Sequence, residues 1–215
     1  MTVEQTEVRH SPEVRHSPEV RHSPLGGWRA GRPDRLQLAE LPYLSMVNLR
    51  VDPAGPVAGR IAALLGVELP TEPNTVVSSP AWSVLWLGPD EWLVLGPDGA
   101  APDLVELLRG LLAGQRGAAV DLSANRTTIE LTGPFARDVL EQGCPLDLHP
   151  RVFGPGRCVQ TMLARAQVVI WRPSEYGADR GTGEVFRLLV RGSFAGYLAA
   201  WLTDAAGEYW AVAPQ

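Results

Sequence analysis

Two stretches of sequence decide the fold: residues 80–95 read PAWSVLWLGPDEWLVL, and residues 120–140 read VDLSANRTTIELTGPFARDVL. The first stretch has apolar segments on both sides of Gly88-Pro89-Asp90-Glu91, which is the composition of a hairpin turn. The second stretch contains a strand end, a strand, and a Gly-Pro pair that suits the first turn of a helix. Together they predict a β-hairpin followed by a strand–helix unit.

The residues around the hairpin predict a β-α-β-β-α-β unit. A strand at residues 43–51 precedes a helix that ends at Gly66, where a helix C-terminal glycine belongs. A second helix starts at Pro102-Asp103 and ends at Gly114, and a strand at residues 118–122 closes the unit. The predicted buried stripe of the second helix consists of Leu104, Leu107, Leu108, Leu111 and Leu112. This order of elements is typical of the ferredoxin-like, or split βαβ, pattern.

The second half of the chain repeats the pattern. We predict strands at residues 127–131, 160–164, 168–171 and 185–190, a helix from Gly133-Pro134 to Gly143, and a last short strand at 208–212. A further helix is predicted to be capped by Ser193 and to bury Phe194, Tyr197, Leu198, Trp201 and Leu202. The sequence therefore predicts an α+β fold of two ferredoxin-like halves. Residues 36–215 would form a single domain with lobes at about 36–122 and 123–215.

The N-terminal region is of low complexity. Residues 7–24 are three copies of Glu-Val-Arg-His-Ser-Pro. One aliphatic residue in six cannot build a core, and each proline disfavours helix in the residue before it. We therefore predict that residues 1–35 form a disordered tail outside the functional unit. Metal binding by His10, His16 and His22 is the less favoured alternative.

Composition excludes several classes of function. All 19 basic residues are arginine, so mechanisms that need a phosphate-loop or Schiff-base lysine are excluded. The net charge is −5 and the arginines are scattered among acidic residues, which gives no footprint for nucleic-acid binding. No apolar run approaches the roughly 18–20 residues of a membrane span, and no signal-peptide segment is found. We expect a cytoplasmic protein that binds neither nucleic acid nor a membrane.

The two stretches quoted above resemble the folate-binding fold of the glycine-cleavage T-protein family. Within that family the chain is most similar to the gamma subunits of heterotetrameric sarcosine oxidases. The resemblance extends over roughly residues 36–206 and rests on the hairpin with its Gly-Pro-Asp-Glu turn and on the Val-Asp-Leu-Ser and Gly-Pro segments. Neither stretch is a catalytic signature, so the resemblance implies membership of an enzyme complex rather than an active site.

The resemblance implies an oxidase that demethylates sarcosine to glycine. Formaldehyde, or methylenetetrahydrofolate when tetrahydrofolate is present, would form together with hydrogen peroxide. It implies that FAD, FMN, NAD, tetrahydrofolate and zinc belong to partner subunits and that this chain holds none of them. The chain would contact the alpha, beta and delta subunits, chiefly alpha, and would support the assembly and stability of the alpha chain.

Two alternatives of the same fold stay open. One is a free-standing, folate-dependent one-carbon enzyme. The other is a small-molecule binding protein that uses the cavity between the lobes. The sequence does not decide whether that cavity is open or filled by Trp82, Trp86 or Trp171.

The sequence evidence for catalytic residues is weak. A Ser/His/Asp set can be written from Asp121, Ser123 and His149, but no Gly-x-Ser-x-Gly elbow surrounds the serine, and its neighbours favour a turn. Asp90 and Glu91 are adjacent, and adjacent strand positions point to opposite faces, so they do not form an acid/base pair. We expect no catalytic residue on this chain.

The sequence evidence for a metal or cofactor site is equally weak. Cys144, Asp147, His149 and Cys158 could be ligands, but their spacing matches no common zinc pattern, and reduced thiols are expected. The loop glycines do not match a dinucleotide fingerprint, so a long hairpin loop is favoured, and a partner contact is the less favoured alternative. These glycines are Gly177, Gly181 and Gly183. We expect no metal-binding and no cofactor-binding residues.

The hairpin strand is apolar on both faces. One face carries Trp82, Val84 and Trp86, and the other carries Leu85 and Leu87. An antiparallel sheet with one solvated face would alternate apolar and polar residues. Helices can cover one face, so the second face needs the other lobe, which we favour, or a partner protein.

Overall fold

A computed structural model describes residues 21–174 and 183–211, and this part of the chain contains eleven strands and four helices. In chain order they are β1 (Arg29–Arg32), β2 (Leu36–Leu41), β3 (Ser45–Val51), α1 (Ala58–Leu65), β4 (Val76–Ser78), β5 (Ser83–Gly88), β6 (Glu91–Gly96), α2 (Ala101–Leu112), β7 (Gly117–Asp121), β8 (Arg126–Gly133), α3 (Ala136–Glu141), β9 (Arg157–Leu163), β10 (Ala166–Arg172), β11 (Glu184–Arg191) and α4 (Gly192–Trp210). No helix in these ranges has the length and apolar character needed to cross a membrane.

The strands form two antiparallel sheets. One has five strands in the order β4-β5-β6-β3-β7, and the other has six in the order β1-β2-β8-β11-β10-β9. Helices α1 and α2 pack on the outer face of the five-stranded sheet, and α3 and α4 pack on the outer face of the six-stranded sheet. This arrangement confirms the predicted α+β fold.

The five-stranded half largely follows the sequence prediction. The quoted hairpin is β5–β6, and helix α1 ends at Gly66, which has φ 70° and donates its N–H to Ala62. Leu107 of α2 was expected to be buried, and it is 54% exposed. The expectation is wrong because the buried residues of α2 follow the 3.6-residue period from its first residue, which places Leu107 on the flank. Those residues are Ala101, Leu104, Val105, Leu108 and Leu112.

Helix α4 differs from the prediction at both ends. The N-cap position is taken by Arg191 without a side-chain capping bond, so the assignment of Ser193 as the cap is wrong. A strand was predicted at 208–212. This prediction is wrong for residues 208–210, because α4 continues to Trp210. There the Trp210 indole N–H donates to the Leu36 carbonyl at 2.9 Å, which ties the last turn to β2.

The buried stripe of α4 is narrower than predicted. Phe194 and Tyr197 are 44% and 41% exposed, whereas Leu198 and Leu202 are fully buried. Trp201 is half-buried and lies against Gly143, where an added Cβ would come within 2.5 Å of the indole ring. Small residues complete the packed face, namely Ala195, Ala199 and Ala206.

The N-terminal segment joins the fold earlier than expected. Strand β1 pairs with β2, so the prediction of a disordered tail does not hold for residues 29–32, while residues 1–20 lie outside the described ranges. Strand β2 pairs with β8, so residues 36–41 belong to the sheet of the second half rather than to the predicted lobe at 36–122. The chain crosses to the five-stranded sheet after Tyr43, a turn residue with φ 62°.

The inner faces of the two sheets pack against each other. Leu85 and Leu93 of the hairpin share a buried cluster with Val169 and Leu189 of the six-stranded sheet. Val84 and Trp92, on the other face of the hairpin, pack with the helices. The hypothesis that the second lobe covers the second face of the hairpin is therefore confirmed for these residues.

Candidate functional site

A cavity of about 520 Å³ lies where β3 and β8 start and β7 ends. Residues 21–24 and the loop that leads into α2 complete its wall. The volume is within the range of small-molecule sites. This is the inter-lobe cavity that the sequence left undecided.

Two serine hydroxyls accept backbone hydrogen bonds that hold the cavity wall in place. The Ser45 hydroxyl accepts from the backbone N–H of Ala101 at 3.0 Å, which joins β3 to the start of α2. The Ser123 hydroxyl accepts from the N–H of Met46 at 3.0 Å, which joins the end of β7 to β3. Both hydroxyls therefore position backbone segments.

Arg21 and Tyr43 form the rim. The Arg21 guanidinium lies 4.3 Å from the centroid of the Tyr43 ring and 2.7 Å from the Asp98 carboxylate. The Tyr43 hydroxyl donates to the Arg21 carbonyl at 2.8 Å. Both partners of the ion pair are more than half exposed, so the pair adds little to stability. The rim offers a cation and an aromatic ring to a ligand.

The proposed Ser/His/Asp set is not assembled. Ser123 donates both its N–H, at 2.8 Å, and its hydroxyl, at 2.6 Å, to Asp121, which is a local turn motif. His149 lies in the loop after α3, where its Nδ1 accepts from the N–H of Arg151 at 3.2 Å. His22 lines the cavity, yet in the described residues no histidine bonds to Ser123 or Asp121. The cavity can bind through hydrogen bonds, but it lacks an activated nucleophile.

The other acidic and glycine candidates also have structural roles. The Glu91 carboxylate accepts from Asn48 at 2.8 Å and from Arg50 at 2.6 Å, and the Asp90 carbonyl accepts from the N–H of Val51. Gly177 and Gly181 lie outside the described residues. Gly183 has φ 103°, and an added Cβ would lie 2.4 Å from the Gly133 carbonyl carbon, so close approach of two strands requires this glycine.

The cysteines belong to separate parts of the core. Cys158 is fully buried between the sheets, and burial raises the pKa of its thiol to about 12. Cys144 packs beside the helices, and burial raises the pKa of its thiol as well. A metal ligand would have to be a thiolate, which these environments disfavour. No group of three potential ligands occurs within the described ranges, so Cys144, Asp147, His149 and Cys158 are not brought together there.

None of the three tryptophans considered for the cavity lines it. Trp171 is buried between the sheets, and the Arg187 guanidinium lies 4.8 Å from its ring. Trp82 and Trp86 pack on the helix side of the five-stranded sheet. The aromatic residue of the cavity is Tyr43.

Two charged sites near the cavity were missed by the sequence analysis. Glu40 is 2% exposed and accepts four hydrogen bonds behind the cavity wall. Arg126 lines the cavity, and its buried Nη1 atom has no hydrogen-bond partner in the described residues. Burial lowers the pKa of Arg126, and the nearby Arg191 lowers it further. The acid within the apolar LQLAEL segment was the one available signal for Glu40.

Comparison with known families gives a consistent result. A family model described as "Sarcosine oxidase, gamma subunit family" matches residues 50–208. Sarcosine oxidase subunit gamma of Corynebacterium sp. (strain U-96) is 35% identical over 208 residues, which cover 96% of this chain and 94% of the relative. The corresponding subunits of Corynebacterium sp. (strain P-1) and Arthrobacter sp. are 37% and 36% identical over the same lengths.

Solved structures show the same relationship. A chain of the heterotetrameric sarcosine oxidase from Corynebacterium sp. U-96, in complex with pyrrole 2-carboxylate, matches with a TM-score of 0.77 and 34% identity over 91% of this chain and 99% of that chain. The glycine cleavage system aminomethyltransferase T from Bartonella henselae matches with a TM-score of 0.54 and 16% identity over 76% of this chain and 44% of that chain. The second match shows the fold alone, and it confirms the fold family inferred from residues 80–95 and 120–140.

Proposed function

This chain belongs to the sarcosine oxidase gamma subunit family, and we propose that it supports the assembly of a heterotetrameric sarcosine oxidase without catalysing a reaction itself. The observation that carries the proposal is the extent of the similarity. The chain aligns over 96% of its length with named gamma subunits, and it covers 99% of its counterpart in a solved heterotetramer.

The chemistry of the central cavity supports a non-catalytic role. Ser123 and Asp121 bond to each other and to the backbone, and in the described residues neither contacts a histidine. Covalent catalysis needs a nucleophile with a base in hydrogen-bond reach. The cavity wall is held together by the residues that would otherwise be candidates for catalysis.

The partners follow from the same proposal. We infer contacts with the alpha, beta and delta subunits, chiefly alpha, in a cytoplasmic complex. The heterotetrameric state of the solved relative supports an assembly with other subunits. FAD, FMN, NAD, tetrahydrofolate and zinc would be carried by those partners.

Reconstitution tests the proposal. The chain is co-expressed with the other three oxidase subunits and purified through a tag on this chain. We expect all four subunits to co-purify and to form peroxide from sarcosine, whereas the isolated chain shows neither flavin absorbance nor peroxide formation. Stoichiometric flavin on the isolated chain, or a fully active oxidase that assembles without it, would contradict the proposal.

The volume of the cavity favours one alternative, a small-molecule binding role. Its 520 Å³ could accept a folate-sized ligand against Tyr43 and Arg126. Calorimetric titration of the isolated chain with tetrahydrofolate tests this alternative. Saturable one-to-one binding that is lost in Tyr43→Ala would favour the alternative, and no heat change would favour the assembly role.

A further inference from the structure

A second polar site lies on the inner face of the six-stranded sheet. Arg126 on β8 and Arg191 on β11 are direct cross-strand partners, and Thr128 pairs in the same way with Leu189. Leu189 is buried between the two sheets. Because residues two apart on a strand share a face, both arginines lie on this inner face, one row beyond the apolar cluster.

The two arginines line a groove of about 380 Å³ across β8, β11, β10 and β9. Gln160, Gln167 and Met162 form much of the remaining wall, and no acidic residue lines the groove. Neither arginine forms an ion pair with any described residue. The groove therefore has a net positive charge that the described chain does not neutralise.

The same pair of strands shows what a neutralised row looks like. Arg187 and Glu130 are cross-strand partners four residues along from Arg191 and Arg126, and the guanidinium donates to the carboxylate at 2.9 Å. The positions differ by an even number, so the two rows share a face. One row pairs arginine with glutamate, and the other pairs arginine with arginine.

Opposed arginines are unfavourable for the isolated chain. Like charges directly opposite on a sheet repel each other, and the buried Nη1 of Arg126 and hydroxyl of Thr128 have no hydrogen-bond partner in the described ranges. The negative charge of Glu91 raises the pKa of Arg126 and so favours its charged form. The Glu91 oxygens, however, already accept hydrogen bonds from Asn48 and Arg50. A carboxylate placed from outside would neutralise the opposed charges of Arg126 and Arg191.

We propose that this groove binds an acidic side chain of a partner subunit, with the carboxylate between the guanidinium groups of Arg126 and Arg191; the inference rests on the proposed function. The charge of the groove fits a carboxylate. Met162 is 39% exposed beside the arginines and offers apolar contact to a polypeptide.

Reversal of one charge separates recognition from folding. In Arg191→Glu, the new carboxylate pairs with Arg126 inside the chain, so the melting temperature of the isolated chain should stay the same or rise. Assembly with the other three subunits should weaken about 10- to 100-fold, since an interfacial acid would face an acid. The matched control is Arg60→Glu, which makes the same charge change at an exposed position on α1 and should assemble like the wild type.

Each outcome of the experiment is decisive. If wild-type chain and Arg191→Glu assemble equally well, the groove is not a partner site and this inference fails. If sodium phosphate or sodium succinate stabilises the isolated wild-type chain but not Arg191→Glu, while both chains assemble equally well, the groove binds small anions only and the inference fails. If the wild-type chain itself does not assemble, the proposed function fails first, which is a different result.

Discussion

Two charged sites lie at the same end of the six-stranded sheet on opposite faces. They differ in whether their hydrogen-bonding partners come from this chain or from another subunit. Glu40 pairs with Ile129 on the outer, helix-covered face, whereas Arg126 and Arg191 pair with each other on the inner face. Glu40 is more deeply buried than either arginine. Burial alone therefore does not distinguish a structural charge from a recognition charge.

The two sites differ in how many hydrogen-bond partners the chain itself supplies. One Glu40 oxygen accepts from the Ser23 hydroxyl and the Gly27 N–H, both at 2.8 Å, and the other accepts from the Thr127 hydroxyl at 2.7 Å and the Leu25 N–H at 3.3 Å. A carboxylate with four donors fixes the segment that precedes β1. The arginine row has no comparable set of acceptors, which is why we assign it to a partner and Glu40 to the fold.

The largest expected effect comes from the apolar row next to the arginines. Leu189→Ala removes a side chain that is buried between the sheets, two residues before Arg191 on the same strand and face. We expect a loss of roughly 2–5 kcal/mol in the free energy of unfolding, measured by denaturant titration. Leu107→Ala, at an exposed position on α2, is the control and should change stability by less than about 0.5 kcal/mol. A small effect of Leu189→Ala would mean that the inner faces do not pack as described.

Truncations test where the fold begins. Removal of residues 1–35 deletes β1 and three of the four donors to Glu40, so we expect a loss of roughly 2–4 kcal/mol. This expectation differs from the sequence-based prediction that residues 1–35 form a disordered tail outside the functional unit. Removal of residues 1–20 leaves those donors in place and should leave the melting temperature unchanged. Equal melting temperatures for both truncated chains would show that β1 and the Glu40 site add nothing.

A smaller effect is expected for Glu40→Gln. The amide keeps one oxygen acceptor but presents an NH₂ group to donors, so unfolding should become easier by about 1–3 kcal/mol. Thermal melting at neutral pH measures the change. Gln37→Glu, on the same strand, provides a partly buried comparison that should be nearly neutral. An unchanged melting temperature for Glu40→Gln would remove the distinction drawn between the two charged sites.

The smallest effect on stability is expected for Arg191→Gln. Removal of one of two opposed charges should raise the free energy of unfolding by about 0.2–1 kcal/mol, and the gain should shrink as salt is added. Denaturant titrations at low and high salt measure this effect. A clear loss of stability would mean that the arginines already have partners within the chain.

Much of the fold could be predicted from local patterns. The hairpin and the glycine end of α1 depend on residues that are close in sequence, and the structure has them where the sequence indicated. The strand before Gly133-Pro134 was also placed correctly, but the helix begins at Ala136 rather than in the Gly-Pro pair, because Gly133 ends β8 and Phe135 is the N-cap. Strand β2 was not predicted, and its pairing with β8 joins residues about ninety positions apart, which no local pattern reveals. The end of α4 was missed because Trp210 is fixed by Leu36, which lies 174 positions earlier in the sequence.

The candidate sites were harder to predict than the fold. Asp121 and Ser123 were correctly interpreted as turn residues, since their hydrogen bonds are local. The arginine pair depends on the register of β8 against β11, which no local pattern specifies. Its meaning further depends on which carboxylates lie nearby, and that is a property of the folded chain.

The most direct test of this account is a structure of the chain assembled with the other three oxidase subunits. We predict that a carboxylate oxygen of a partner subunit lies within about 4 Å of the guanidinium nitrogens of Arg126 or Arg191, while Glu40 keeps its four donors from within the chain. A groove that faces solvent in that assembly, or that is covered by a partner without an acidic residue, would contradict the account.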